Sequence, residues 1–223
     1  MCGRYALHSE INVLQQRFNF DAAGLNHSPH YNIAPSQQVL TVTSDGKRRA
    51  QSMRWGLIPF WAKEEKSGYR MINARSETLG QRPAFRSSIR SQRCLILADG
   101  FFEWSRKGTK RNPMYIYMRS SQPFAFAGLW SPWTSPEGTV IESCTIITTD
   151  ANEVISPIHD RMPVILSSES ESLWIDPYTN NLSELSHLLK AAPTDLMELY
   201  PVSEMVNSPR NDTPEVLARI TLA

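Results

Sequence analysis

Between residues 94 and 166 the chain runs through five short stretches rich in β-branched and aromatic residues: CLILADGFFEW (94–104), MYIYMR (114–119), FAFAGLW (124–130), CTIITT (144–149) and MPVIL (162–166). Each reads as a strand, and the connections carry Gly, Pro, Asn or Ser, the residues that end strands and make turns. QVLTVT (38–43) adds an earlier strand followed by an SDGK turn. The strands do not alternate regularly with long helices, which argues against a doubly wound parallel sheet. Helical periodicity falls mostly outside the strand-rich centre. Ile11, Leu14 and Phe18 share one face of a helix over 9–19, with Ser9 placed as its N-cap. SSESESLWI (167–175) carries a capping box from Ser168 to Glu171, and LSELSHLLK and PEVLARI repeat at helical spacing. The expected fold class is therefore α+β: one domain over 1–223 with a central curved, largely antiparallel, barrel-like sheet flanked by helices. The charged stretch AKEEKSGYR (62–70) reads as a mobile loop.

Composition narrows the function classes. At 223 residues and 41% hydrophobic the chain can bury a substantial core, and a disordered protein is excluded. No apolar stretch approaches the roughly 20 residues of a membrane span, and no secretory signal opens the chain. Three cysteines, Cys2, Cys94 and Cys144, form neither an even set nor a metal-like spacing. The expectations are a reducing, cytoplasmic setting, no disulfide framework, no zinc and no membrane partner. Charge is uneven: residues 1–79 carry net +4, residues 80–136 net +7 and residues 137–223 net −10. RPAFRSSIRSQR presents Arg82, Arg86, Arg90 and Arg93 with no acid between them. Such a run either meets a phosphate backbone or forms a solvated face balanced by the acidic part.

Several residues could carry chemistry. The chain begins MCGRY. Removal of Met1 before a small second side chain leaves Cys2 with a free α-amine and a thiol on one carbon. An α-amine titrates near ~8, so much of it is neutral at cellular pH and can attack an aldehyde. The neighbouring thiol can then close a five-membered ring with a large gain in effective concentration. Gly3 permits close backbone approach, and Arg4 could meet a phosphate. In MINARSET, Asn73 and Arg75 share a face if the segment is extended, either to orient a nucleophile and hold phosphate or to cap a polar turn. Glu103 sits between Phe102 and Trp104 in a strand, where burial would raise its pKa and suit it to acid/base work; a sheet edge reaching water is the alternative. His159 in SPIHDRMPVIL is placed for proton transfer or is a turn histidine held by Asp160. Trp55, Phe60 and Trp61, with Pro35 and Pro59, either stack on bases or pack in the core.

MCGRY, YNIAPSQ, RWGLIPFWA, INARSET, ADGFFEW, TIITT, IHDRMPVIL and PVSEMVNSP follow one another in the order of the SOS-response-associated peptidase (SRAP) family, from Cys2 to about Asn207. The chain resembles its small members. The resemblance implies recognition of abasic sites in single-stranded DNA and a covalent thiazolidine cross-link through Cys2. It implies that Asn73 orients the cysteine, Glu103 is the acid/base and His159 assists sugar opening and proton transfer. Arg4, Arg75 and Arg161 are then phosphate contacts, Arg86 a further one, and Pro35 and Trp61 touch the bases. No metal or organic cofactor is implied, and the expected state is a cytoplasmic monomer, at the nucleoid when bound to DNA. Two other classes fit the same residues: a peptidase or amidase using Cys2, Glu103 and His159, and a non-catalytic single-strand DNA-binding module.

Overall fold

The structure is a computed structural model that describes residues 2–22, 24–107 and 110–221. Its strands are β1 (Tyr5–Leu7), β2 (His30–Ile33), β3 (Gln38–Ser44), β4 (Arg48–Trp55), β5 (Asn73–Arg75), β6 (Arg93–Ala98), β7 (Gly100–Lys107), β8 (Lys110–Met118), β9 (Phe124–Thr134), β10 (Val140–Asp150), β11 (Arg161–Pro163), β12 (Ile165–Leu166) and β13 (Met197–Pro201). Short α-helices are α1 (Ile11–Phe18), α2 (Ser88–Ser91), α3 (Ser168–Ile175) and α4 (Leu182–Ser186).

β3, β4, β6, β9 and β10 close into a five-stranded barrel. Every neighbouring pair around it is antiparallel except β10 with β4, which is parallel. Closure needs close approach of backbones, and β9 supplies it through Ala125, Ala127 and Gly128. A side chain on Gly128 would come within 2.8 Å of Cys94 Sγ and of Ile96 Cδ1. By register Met53, Trp55, Ile96, Phe126 and Ile146 share one face of the closed sheet and Val42 and Leu97 the other, all within one large apolar cluster. β5 and β11 add to β10, and β12 adds to β9. A second, open antiparallel sheet runs β13–β8–β7–β1–β2. Its outer face holds a small cluster of Ala6, Phe102, Tyr115, Val202, Val206 and Val216.

The α+β, barrel-like expectation therefore holds, with local corrections. Residues 94–104 are two strands in two sheets, β6 in the barrel and β7 in the open sheet. The chain turns at Asp99, whose carboxylate accepts from the N–H groups of His8 (2.6 Å) and Ser9 (2.7 Å) and from Ser9 Oγ (2.6 Å). Ser9 is thereby committed elsewhere and does not cap α1, where Glu10 takes that position without a side-chain bond. α3 is capped by Ser167 rather than Ser168, and Glu171 turns inward to Arg17 at 2.8 Å. Residues 162–166 divide between β11 and β12, because Val164 bridges β10 and β9: its N–H donates to Ile147 and its carbonyl accepts from Ala127. PEVLARI forms a 3-10 turn, Pro214–Leu217.

The segment read as a loop over 62–70 instead contains a 3-10 helix, Glu65–Arg70. Arg54 pairs with Glu65 at 3.0 Å and lies over the Tyr69 ring, and Trp133 Nε1 donates to the Ala62 carbonyl at 2.7 Å. Backbones cross closely here: a Cβ on Gly68 would fall 2.5 Å from the Gly56 carbonyl oxygen, and Gly56 has φ +124°. Both facts require glycine.

Candidate active site

Four segments converge where the barrel meets the open sheet. Cys2 lies just ahead of β1. β1 pairs with β7, Tyr5 opposite Phe101, and the Phe102 N–H donates to the Arg4 carbonyl at 2.9 Å. Glu103 therefore lies two residues along β7 from β1's partner, on the same face as Phe101. From the barrel side, Asn73 opens β5 and His159 immediately precedes β11, both strands being neighbours of β10.

Asn73 Nδ2 donates to the Cys2 carbonyl at 2.8 Å, fixing the main chain of the thiol-bearing residue. Asn73 Oδ1 is buried and has no hydrogen-bond partner among the described residues. Cys2 is completely buried, and burial followed by the field of Glu103 pushes its thiol well above the usual range. Glu103 is 4% exposed, and burial raises its carboxyl pKa. His159 opposes that shift and Asp160 reinforces it, which places the imidazole within electrostatic reach of the carboxyl. His159 Nδ1 stands 2.8 Å from Asp160 Oδ1 and 2.9 Å from the Arg161 N–H. Thiol, carboxyl and imidazole thus share one electrostatic neighbourhood, and the first two are held towards their protonated forms by loss of water.

A cavity of about 460 Å³ opens beside Asn73, lined by Trp61, Arg70, Arg75, Arg82 and Phe85 among others. Among the described residues, no acidic one lines it. Arg70, Arg75 and Arg82 are exposed, and none makes an ion pair with a described residue. Trp61 is 53% exposed, as a stacking surface must be, while Trp55 is core. A groove with guanidinium groups and an indole fits a flexible polyanion carrying aromatic bases.

The remaining candidates lie elsewhere. Arg4 Nη1 donates to Asn32 Oδ1 (2.8 Å) and to the Val206 carbonyl (2.6 Å). Arg161 is buried, with Nη1 2.8 Å from Glu77 and 2.6 Å from Asp150, and Nη2 donating to Glu77 (3.0 Å) and to the Thr148 carbonyl (2.7 Å). Burial pushes the Glu77 carboxyl up, but the hydrogen bonds and charge of Arg161, with main-chain and Ser76 hydrogen bonds, together outweigh it, and the net shift is downward. Pro35 is half-buried in the turn after β2 and Arg86 is exposed one residue beyond Phe85; neither lines the groove. Arg93, from the same basic run as Arg82, is buried and spends its guanidinium on main-chain carbonyls, including those of Ile89 and Thr179. Sequence reasoning did not single out Arg70, Glu77 or Asn32. Arg82 was visible within the acid-free arginine run, and Arg70 closed the segment read as a loop.

The profile of the family described as SOS response associated peptidase (SRAP) matches residues 1–209. The chain belongs to the SRAP family. Abasic site processing protein YoqW of Bacillus subtilis (strain 168) is 50% identical over 222 residues, covering 97% of this chain and 99% of that protein. Abasic site processing protein HMCES of Gallus gallus is 33% identical over 229 residues, covering 88% of this chain and 68% of its own. A crystal structure of a Bacteroides thetaiotaomicron protein is 28% identical with a TM-score of 0.89, over 99% of this chain and all of that one. A phage-related protein from Bordetella bronchiseptica, also 28% identical, has a TM-score of 0.73 and covers 91% of this chain. The SRAP profile thus spans all four converging segments and the groove. Among the described residues of this SRAP chain, no helix is long and apolar enough to cross a membrane.

Proposed function

We propose that this chain processes abasic sites in single-stranded DNA, capturing the opened sugar covalently through the amine and thiol of Cys2 after Met1 is removed. The observation that carries the reading is the Asn73–Cys2 hydrogen bond, which ties the thiol-bearing residue to the wall of an arginine-lined groove, beside a buried carboxyl. Relatives named abasic site processing proteins across nearly the whole chain support the substrate.

The chemistry balances without a cofactor. The neutral amine nitrogen attacks C1′ of the open-chain aldehyde, and the carbinolamine loses water as Glu103 in its acid form protonates the departing hydroxyl. The Cys2 sulfur then bonds to the imine carbon, its proton passing to the Glu103 carboxylate and the imine nitrogen regaining one, to leave a thiazolidine. One aldehyde, one amine and one thiol give one ring and one water. His159, at the rim, moves the proton that opens the sugar ring. Left uncaptured, the imine permits β-elimination and strand cleavage; the thiol closes that route. Arg70, Arg75 and Arg82 hold the backbone while Trp61 stacks on a base. One protomer suffices.

Intact-mass spectrometry with an abasic single strand tests this. The expected result is a species heavier by the strand less one water, absent with undamaged strand. Absence of any adduct, with turnover of peptide substrates instead, would assign the site to hydrolysis.

A further inference from the structure

We infer that Asn32 and the segment Ser203 to Asp212 form a clasp that positions Cys2 through Arg4, so that the amine meets the sugar held in the groove. The inference rests on the covalent-capture reading and gives the acidic C-terminal part a role in it. Asn32 lies on edge strand β2 and is 1% exposed. Its Oδ1 accepts from Arg4 Nη1 at 2.8 Å. Its Nδ2 faces three carbonyls, those of Asn211 (2.7 Å), Ser208 (3.0 Å) and Val206 (3.3 Å). Arg4 Nη1 donates to the same Val206 carbonyl, so one amide and one guanidinium share a single turn of the chain.

The clasp is latched at two points. Asp212 accepts from the N–H groups of Tyr31 (2.5 Å) and Asn32 (2.9 Å) and stands 2.7 Å from His30 Nδ1. Midway along the segment Trp104 Nε1 donates to Asn207 Oδ1 at 2.8 Å, one residue from Glu103. The clasp therefore grips both segments that carry these reacting groups, the residues leading into β1 by way of Arg4 and β7 by way of Trp104. Gly3 alone separates Arg4 from Cys2, and two residues span at most about 7 Å, so displacement of Arg4 is transmitted to the thiol-bearing residue. A misplacement of about 1 Å is enough to slow a positioned reaction as much as a hundredfold.

The test uses Asn32→Ala, which removes the hub, and Asp212→Ala, which removes one latch. Three quantities are measured in the full chain: the rate of adduct formation with saturating abasic strand, the affinity for undamaged strand, and the rate of reaction of the N-terminal cysteine with free acetaldehyde. For Asn32→Ala the strand rate is expected to fall at least about tenfold, with affinity and acetaldehyde rate within about twofold of the unaltered chain. Asp212→Ala shifts the same way, less. A strand rate unchanged in both variants overturns the inference, as does an equal fall with acetaldehyde and with strand, since a free aldehyde needs no register with the groove. If Asn32→Ala loses its cooperative melt, the half-exposed Asp212→Ala decides by the same criteria. No adduct with the unaltered chain overturns the capture reading and the clasp together; an adduct with unaffected variants overturns the clasp alone.

Discussion

The barrel strands β3, β4, β6, β9 and β10 pair all the way round, whereas β13–β8–β7–β1–β2 ends in two edge strands. Each region supplies half of the candidate site. Asn73 opens β5 and His159 immediately precedes β11, and each of these strands pairs with β10 of the closed ring. Cys2 lies just ahead of the open sheet and Glu103 within it; one face of that sheet packs Tyr5, Phe101 and Ile116 into the large cluster, the other holds only the small one, and the β2 edge is tied by side-chain bonds to a distant segment. The barrel is thus the fixed jaw, and the open sheet is the jaw whose outer edge depends on polar contacts.

The largest contrast is in stability. Phe126 is fully buried and touches the rings of Tyr5, Phe101 and Phe124. Phe126→Ala should cost about 3–5 kcal/mol in urea unfolding, against about 1–2 kcal/mol for Val206→Ala in the small cluster. Equal costs would erase the distinction between the jaws. Glu77→Gln, which weakens the Arg161 network on the barrel side, should lower stability by about 1–3 kcal/mol, and a smaller loss in an Arg161→Met background would show that the two act as a pair.

Glu103→Gln runs the other way. Burial raises its folded pKa above the unfolded value, so its contribution to stability is full below the unfolded pKa of about 4.3 and is lost as pH rises through the folded value. Glutamine has no such loss. The variant should therefore melt higher than the parent at pH 7, by on the order of 1 kcal/mol or ~3 °C, with the gap closing as pH falls below about 4, while capture slows. A variant less stable at pH 7 would make Glu103 a structural residue. The smallest effect is at Arg75: replacement by Gln should leave melting unchanged and reduce the slope of log affinity against log salt by about 0.7, the increment of one phosphate on a single strand. An unaltered slope would remove Arg75 from the strand's path.

Strand-rich periodicity made the barrel strands β3, β6, β9 and β10 legible, because each buries a run long enough to carry a pattern. β1 and β5 span three residues each, too few for any periodicity, and β10's parallel pairing with β4 joins segments nearly ninety positions apart. The break at Asp99 was hidden for the same reason: its partners His8 and Ser9 lie 91 and 90 positions away. Within the site, Asn73 and Glu103 could be singled out by their local company. Arg4 and Arg161 look alike in sequence as free cations near motif residues, and only tertiary contacts show that each guanidinium is engaged by the protein itself. Asn32 gave no local sign, since its three carbonyl partners lie more than 170 positions downstream.

The Arg4–Val206 bond spans 202 positions, and this separation governs when the proposed clasp can close. A ribosome adding about 5–20 residues per second needs roughly 10–40 s to travel from one to the other. Throughout that interval the nascent chain has Arg4 outside and no Val206 carbonyl to receive its guanidinium. One of the first side chains translated thus waits for one of the last turns, so on the proposed capture an unfinished chain lacks part of what aims its first residues.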